Sequence, residues 1–468
     1  MRQLLSRTGP AWRLQRLVLI AMATGLLAAA CSSGAASTPT PLPPALAPTP
    51  TPQATASAPD ASPEANPITP SSQTPPPSPA PTVTIPADLL QRLQEIEQRV
   101  IGIRGLVPVE DPVRRFVSRE ELQRRLREEA ENEAEEIAVT QRILTLLGLL
   151  EPDQDLLELQ VSQLTDQVLG FFESHTGELF IVGESGDFSL LDEFTYAHEY
   201  VHALQHARFD LSALHEARED DSEAGAALRA VVEGGATLVQ TQYAQEHMNI
   251  RRLLSEIDDL GVTGEDDRFP FVLQESLVFP YENGREFVRY LLDDGGWPAV
   301  DAAYESLPVT TEQILHPEKY LAGEAALDVS MPDIAAALGD GWTELDADVM
   351  GELTIRILLD AFLSRRDADR ASAGWGGDRL LFLEGPAGQE LLVILARWDS
   401  EKDAEQFFDA YVKLLERRDA DVDERSASVQ ATTGNERHVL RIEGDQTLWI
   451  VTTDPGVVDL VVGLFPDF

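Results

Sequence analysis

Residues 196–206 read Tyr196-Ala197-His198-Glu199-Tyr200-Val201-His202-Ala203-Leu204-Gln205-His206, YAHEYVHALQH, with three histidines spaced four apart. Four residues is about one helical turn, so all three fall on one face of a helix. Inside the stretch stands His198-Glu199-x-x-His202, the HExxH pattern. Two histidines one turn apart can both reach one zinc ion, and Glu199, one residue on, points toward a water in the open coordination position. That is a layout for hydrolysis: zinc brings the water's pKa near neutrality, and the carboxylate takes its proton as it attacks a carbonyl. His206 does not fit the same ion. From His198 to His206 a helix rises about 12 Å, whereas a zinc–nitrogen bond is about 2 Å. Ala203-Leu204-Gln205 contains no Gly or Pro to break the helix, so His206 is expected outside the ligand set.

A further ligand must therefore come from elsewhere in the chain. The best candidate is Glu233, in Val231-Val232-Glu233-Gly234-Gly235-Ala236-Thr237-Leu238. Asp221 or Ser222 can cap a helix running from about Glu223 to His247. Within a helix Gly234 and Gly235 each cost about 1 kcal/mol relative to Ala. That cost has a reason if this helix must lie close against the HExxH helix and bring Glu233 to the metal. Glu223, ten residues earlier, is the fallback ligand.

Working outward, Leu169–Glu173 and Glu178–Gly183 flank Ser174-His175-Thr176-Gly177 and read as a β-hairpin just before the motif helix. The motif helix is expected from Leu191 or Asp192 to about Arg208. Upstream, Ala87–Val100 has helical periodicity, Ser118–Glu121 matches a capping box, and ILTLLGLL and LLELQVSQLTDQV continue the helical character. Downstream, a helix from about Val349 to Arg365 leads to a polar stretch and a Gly-Trp-Gly-Gly loop. Strands are expected at Leu380–Leu383 and Leu391–Trp398, a helix at Glu401–Arg417, strands at His438–Glu443 and Thr447–Thr452, then a short final helix. The fold class expected is α+β, mainly helical, with one domain over 86–365 and a small α+β domain over 366–468.

The N-terminal part does not belong to that fold. Arg2, Arg7, Arg13 and Arg16 precede the fourteen-residue apolar run Leu17–Ala30. Such a run is short for a membrane span and suits a signal peptide. It ends in Leu27-Ala28-Ala29-Ala30-Cys31, which resembles the lipobox of bacterial lipoproteins; that resemblance implies cleavage after residue 30 and a lipid on Cys31. Cys31 is the chain's one cysteine, so no intramolecular disulfide is expected. Sixteen of the thirty prolines lie between Ser32 and Ile85, among Ala, Ser and Thr, so 31–85 reads as the lipidated residue and a disordered tether. The formal charge of -44 argues against nucleic acid and against electrostatic adhesion to anionic lipid.

HEYVHALQ followed by EGGAT resembles the gluzincin branch of the zincin metallopeptidases. It is similar in particular to a group of bacterial lipoproteins with an HExxH helix and a later EGxAT helix. Phe279-Pro280-Tyr281, Leu315–Tyr320 (LHPEKY) and Gly374–Arg379 (GWGGDR) match the same group. The resemblance implies a zincin-like fold for 86–365, His198, His202 and Glu233 as ligands of Zn2+, and Glu199 as general base. It implies a membrane-anchored, extracytoplasmic zinc metallopeptidase acting on a peptide or protein. The other class is a non-catalytic zincin-like lipoprotein that binds or scaffolds; the intact Glu199 favours the enzyme. Two features depart from the gluzincin pattern. Thr237 stands where many have an Asp that orients a histidine, and the spacing from His202 to Glu233 is longer than in thermolysin-like enzymes. By residue type alone, Tyr281 and His316 are candidates for the group that steadies the oxyanion; Phe279-Pro280-Tyr281 and His316-Pro317 read first as turn-like sites where a ring packs and donates one hydrogen bond. As in zincins, a substrate is expected to lie extended along the hairpin strand Glu178–Gly183.

Overall fold

The computed structural model describes residues 85–183, 188–218, 221–259, 268–425 and 427–468. The expected signal segment, Cys31 and the expected tether up to residue 84 lie outside the described residues. The chain is mixed α and β, with helices dominant before residue 340 and a large antiparallel sheet after it. In chain order the first elements are α1 (Ala87–Arg104), β1 (Val113–Val117), α2 (Arg119–Asn132), α3 (Ala134–Leu146), α4 (Leu156–Gln167), β2 (Gly170–Glu173) and β3 (Glu178–Val182). Then come α5 (Leu190–Phe209), α6 (Leu211–Glu216), α7 (Ser222–His247), α8 (Ile250–Asp259) and α9 (Phe271–Glu305).

β1, β2 and β3 form one sheet in the order β1-β3-β2, with β1 parallel to β3 and β2 antiparallel to it. β1 has no clear sequence signal because Arg114 and Arg115 interrupt it. Their charges are met on either side: Arg114 donates to Glu97 at 2.8 Å and Arg115 pairs with Glu178 at 2.5 Å. The consequence corrects one expectation. β3 is the central strand, so Glu178–Gly183 offers no open edge to a peptide. The open edge facing the motif helix is that of β2.

α5 carries the HExxH motif and is buried on almost every side. Its start is fixed by a reciprocal capping box between Ser189 and Asp192. Asp221 caps α7, accepting from Ala224 N at 2.9 Å. The two glycines of α7 do different things. A Cβ on Gly234 would lie 2.1 Å from the carbonyl carbon of Gly284, and one on Gly284 would lie 2.1 Å from the Ala230 oxygen. Backbone therefore meets backbone where α7 crosses α9. A Cβ on Gly235 would lie 3.0 Å from Gln205 Nε2 on α5. Close approach to the HExxH helix thus explains Gly235, whereas Gly234 admits α9. That long helix breaks at Gly295–Gly296, where Gly296 takes a φ of 68°.

The later elements are α10 (Thr311–Leu315), α11 (Pro317–Ala322), α12 (Ile334–Leu338), β4 (Thr343–Asp348), α13 (Gly351–Asp360), α14 (Arg365–Ser372), β5 (Trp375–Glu384), β6 (Glu390–Trp398) and α15 (Glu401–Arg417). β7 (Asp421–Arg425), β8 (Ser428–Thr433), β9 (Glu436–Glu443), β10 (Gln446–Thr452) and α16 (Val458–Gly463) follow. The strands make one seven-stranded sheet, β4-β5-β6-β10-β9-β8-β7, antiparallel at every step. Side chains alternate between its faces as the strand period requires. Leu380, Phe382, Leu392 and Ile394 join the main core with Phe407 and Tyr411 of α15. Leu381, Leu383, Leu391 and Val393 pack under α12 and α16. The sheet takes in β4, so it begins before the boundary expected at residue 365, and its inner face shares one continuous core with the helices. The helix expected at 349–365 is α13, which ends at Asp360, and the polar stretch expected after it is itself a helix, α14, capped by Ser364.

The segment LHPEKY ties the two parts together. Lys319 Nζ donates to Glu312 at 2.7 Å, Glu324 at 2.7 Å and Asp399 at 2.6 Å. Those three carboxylates thus surround an ammonium, which explains their clustering without a metal. His316 Nε2 lies 3.0 Å from Glu352 Oε1 at this same junction, outside the HExxH cluster.

Candidate metal centre

α5 and α7 bring His198, His202 and Glu233 together. His198 Nε2 lies 3.1 Å from Glu233 Oε2, and His202 Nε2 lies 3.3 Å from the same oxygen. The longer spacing from His202 to Glu233 is taken up by α6 and the start of α7, which turn the chain back so that Glu233 faces the motif.

Two glutamines set the histidine tautomers. Gln205 Nε2 donates to the Val232 carbonyl at 2.9 Å and to the Tyr304 hydroxyl at 2.9 Å. Gln240 Nε2 donates to the Phe194 carbonyl at 3.0 Å. Each amide oxygen is thereby left facing a ring: Gln205 Oε1 is 2.9 Å from His202 Nδ1, and Gln240 Oε1 is 3.3 Å from His198 Nδ1. An amide oxygen can only accept, so both Nδ1 atoms carry hydrogen and donate to it. Both Nε2 lone pairs then face a carboxylate oxygen. Lone pair against lone pair in a buried site calls for a proton or a cation between them.

A zinc ion suits that demand. Two neutral imidazoles and a carboxylate are a donor set zinc takes, and atoms about 2.1 Å from one ion at tetrahedral angles stand about 3.4 Å apart. The Nε2–Oε2 distances of 3.1 and 3.3 Å are close to that. Orientation of each histidine by a hydrogen-bonding partner behind it is what such centres use. The partners here are Gln205 and Gln240. Thr237, where the gluzincin pattern has an Asp, takes no such part: its Oγ1 is buried and bonded to neither histidine.

The electrostatics show the same demand for positive charge. Burial raises the Glu233 carboxyl, but His202 and His198 outweigh it and hold the group well below the usual carboxylate range. For His202, burial opposes charging, yet Glu233 and Glu199 win and push it up to about 9. His198, wholly enclosed, is pushed down by its burial. Glu199 is 2 % exposed, and burial, with Glu233's charge adding to it, pushes its carboxyl up to about 8. The Phe172 backbone N–H works the other way by hydrogen bonding to Glu199. A dication on Glu233 would cancel the repulsion and favour ionised Glu199.

Glu199, His202 and Glu233 open on a cavity of about 250 Å³. β2 forms one wall through Gly170, Phe171 and Phe172. A Cβ on Gly170 would stand 2.9 Å from Thr195 Cγ2 and 3.3 Å from Glu199 Cγ, so glycine lets the strand pass directly over the motif helix. The Leu169 carbonyl accepts from Val182 N at 2.9 Å. Bonding alternates along an antiparallel pair, so Gly170 and Phe172 direct their backbone groups outward from the sheet.

Tyr281 also belongs here. Phe279-Pro280-Tyr281 is no turn but the interior of α9. The Tyr281 ring lies 6.1 Å from that of His198, and its phenol hydrogen-bonds Glu233. Burial, then the charges of Glu233 and Glu199, raise its pKa well above the ordinary value, so the hydroxyl stays protonated. His206 stands apart from the cluster, its ring 5.6 Å from that of Phe172.

Sequence reading missed Gln205, Gln240 and Arg229. The signal for each was helical spacing from a ligand: Gln205 three residues after His202, Gln240 seven after Glu233, and Arg229 four before it.

The fallback ligand, Glu223, is not at the centre. It lies about 15 Å along α7 from Glu233 by helical rise. It accepts from Thr311 N at 2.8 Å and from Thr311 Oγ1 at 2.9 Å, beneath Gly351, where a Cβ would collide with it. Burial pushes its carboxyl from 4.5 up to about 8. Between those values the folded chain keeps a proton that the unfolded chain releases, so this contribution to stability is full below pH 4.5 and is lost as pH rises through about 8. Glu223→Gln should therefore narrow the drop in Tm between pH 5 and about pH 8 and leave zinc content unchanged. A variant that loses its zinc would return Glu223 to the ligand set.

A family model described as a domain of unknown function (DUF8575) matches residues 340–461, the sheet and its helices, and so does not reach the HExxH or Glu233 helices. No curated protein and no solved structure matches the chain.

Proposed function

We propose that this chain is a zinc-dependent metallopeptidase of gluzincin type, anchored outside the membrane through a lipid on Cys31. The observation that carries this reading is the convergence of His198, His202 and Glu233 beside a buried Glu199, on an open cavity roofed by a free strand edge. Zinc, when held by those three residues, supplies Lewis acidity that acidifies water and polarises a carbonyl.

The chain's own groups do the rest. Glu199 takes a proton from the attacking water and returns it to the leaving amine. The Phe172 N–H keeps the carboxylate aimed. An extended substrate pairs with the outward backbone groups of Gly170 and the outward carbonyl of Phe172, whose N–H is taken by Glu199, adding a strand beside β2. Tyr281, held uncharged by burial, turns its one O–H from Glu233, whose charge the metal takes up, to the oxyanion that forms on the attacked carbonyl. Gln205 and Gln240 hold the hydrogen of each neutral ring on Nδ1, which leaves the Nε2 lone pairs for the metal.

The test is a mixed library of unstructured peptides, incubated with zinc-loaded protein and with Glu199→Gln and read by mass spectrometry. Cleavage by the wild type alone supports the reading. No cleavage by zinc-loaded wild type over a broad library would leave a zincin-like binding or scaffold protein.

Placement is tested separately. The protein should fractionate with membranes, and Cys31→Ser should leave it uncleaved or release it. Wild-type protein found in the medium with no lipid at its N-terminus would sink the anchor.

A further inference from the structure

Tyr304 stands behind the metal centre, on the last turn of α9, and takes no part in the hydrolysis described above. Beyond the break at Gly295–Gly296, α9 carries Trp297, Asp301 and Tyr304 at spacings of four and three, which set all three on one helix face. Arg104, buried at the end of α1, closes on that face. Its guanidinium lies 4.3 Å from the Trp297 ring centre and pairs with Asp301. The Tyr304 ring stacks on Phe209, the last residue of the motif helix α5, with centroids 4.0 Å apart and planes 3° apart. The ring is thereby held from two sides, and its hydroxyl is delivered 2.9 Å from Gln205 Nε2. A Cβ on Gly235 would lie 3.0 Å from that nitrogen and 3.7 Å from the hydroxyl, so glycine leaves the space in which the two meet.

We infer that Tyr304 is a positioning residue for the metal: its hydroxyl fixes the Gln205 amide, and the amide holds His202 with the Nε2 lone pair toward the ion. This deepens the zinc peptidase reading and rests on it. A side-chain amide has two N–H donors. The Val232 carbonyl takes one from Gln205, and the Tyr304 hydroxyl takes the other. Gln205 is fully buried, so solvent replaces neither acceptor. With both donors held, Oε1 has one direction left, and there it meets His202 Nδ1 at 2.9 Å. Without the hydroxyl one N–H would be buried and unmade, a cost the amide relieves only by turning. Any such turn carries Oε1 away from His202 and frees the ring.

Two comparisons within the molecule support the assignment. Gln240, anchored on the Phe194 carbonyl, makes the longer contact with its ring, 3.3 Å to His198 Nδ1. Tyr243 is as deeply buried as Tyr304 and lies on the ligand helix α7, yet its hydroxyl donates at 2.7 Å to Glu193, a carboxylate tied to Arg92 and not to a histidine. Tyr304 is thus set apart by what its hydroxyl touches, not by burial.

The experiment is a double-mutant cycle read by zinc affinity. Full-length wild type, Tyr304→Phe, Gln205→Leu and the double variant are titrated with zinc against a competing chelator. Phenylalanine keeps the ring and its stacking on Phe209 and removes only the hydroxyl. Tyr304→Phe should weaken zinc binding about three- to tenfold, the fold-change of one neutral hydrogen bond. In the Gln205→Leu background the same substitution should change affinity less than about twofold, because the hydroxyl has lost the group it acts on. Gly235→Ala reaches the same link without touching either side chain. Its methyl crowds the Gln205 amide, so it should weaken zinc in the wild-type background and not beside Gln205→Leu. Tyr243→Phe is the structural control: it should lower the Tm of the metal-free protein and leave zinc affinity where it was. Wild-type affinity in Tyr304→Phe would overturn the inference, as would losses that add in the double variants, or a Tyr243→Phe that weakens zinc as much. Each of those outcomes leaves a zinc site in place and sinks this inference alone; a wild type that holds no zinc would overturn the peptidase reading with it.

Discussion

The purified protein should hold about one zinc per chain, the stoichiometry of a site with three protein ligands, and His198→Ala or His202→Ala should abolish it. Each histidine supplies one of the three converging donor atoms. Removing either leaves Glu233 with one imidazole and takes away part of what holds its carboxylate charged against burial. Glu233→Ala should act in the same direction. Gln205→Leu removes no ligand, but it frees the His202 ring and lets its proton move to Nε2; zinc affinity should fall about 10- to 100-fold. His206→Ala should leave the metal in place, because that ring rests near Phe172 and adds no atom to the cluster. Metal content after exhaustive dialysis, read by atomic absorption for each variant, decides this. Zinc lost in His206→Ala and kept in Glu233→Ala would reverse the ligand assignment.

The pattern of success follows from which interactions are local. HExxH is legible because both histidines and Glu199 lie within two turns of one helix, so residue spacing alone sets their faces. Glu233 is legible because a helix that carries adjacent glycines beside a carboxylate needs a reason, although Gly234 serves the crossing with α9 rather than the approach to α5. β1 is not legible, since Val-Arg-Arg-Phe-Val loses its strand character to two arginines whose partners, Glu97 and Glu178, are fixed only by the fold. That one omission hides the placement of β3 at the centre of its sheet and moves the open edge to β2. β4 reads Thr-Glu-Leu-Asp-Ala-Asp and β7 reads Asp-Val-Asp-Glu-Arg; both are edge strands with few buried side chains, so polarity conceals them. Tyr281 could be named by residue type, but its position beside Glu233 depends on the way α9 crosses α7.

Glu199→Gln should cost peptide cleavage at least about a hundred- to ten-thousand-fold, the range general acid–base catalysis contributes, while zinc content and folding stay near wild type. The substitution keeps the size of the side chain and removes its basicity. All three metal ligands remain, so the loss cannot be charged to an empty site. Nor should the fold suffer, because Glu199 is a cost to it: burial pushes the carboxyl up to about 8, and its Oε1 is buried with no hydrogen-bond partner. A group placed so against its own solvation is characteristic of functional sites, where stability is given up for chemistry. The glutamine variant should therefore melt at or above the wild-type temperature when both are free of metal. Equal zinc, equal or higher Tm and lost cleavage in one variant separate a catalytic base from a residue that merely packs. Cleavage that survives Glu199→Gln would remove Glu199 from the mechanism, and a variant that loses zinc with its activity would make it part of the metal's support instead.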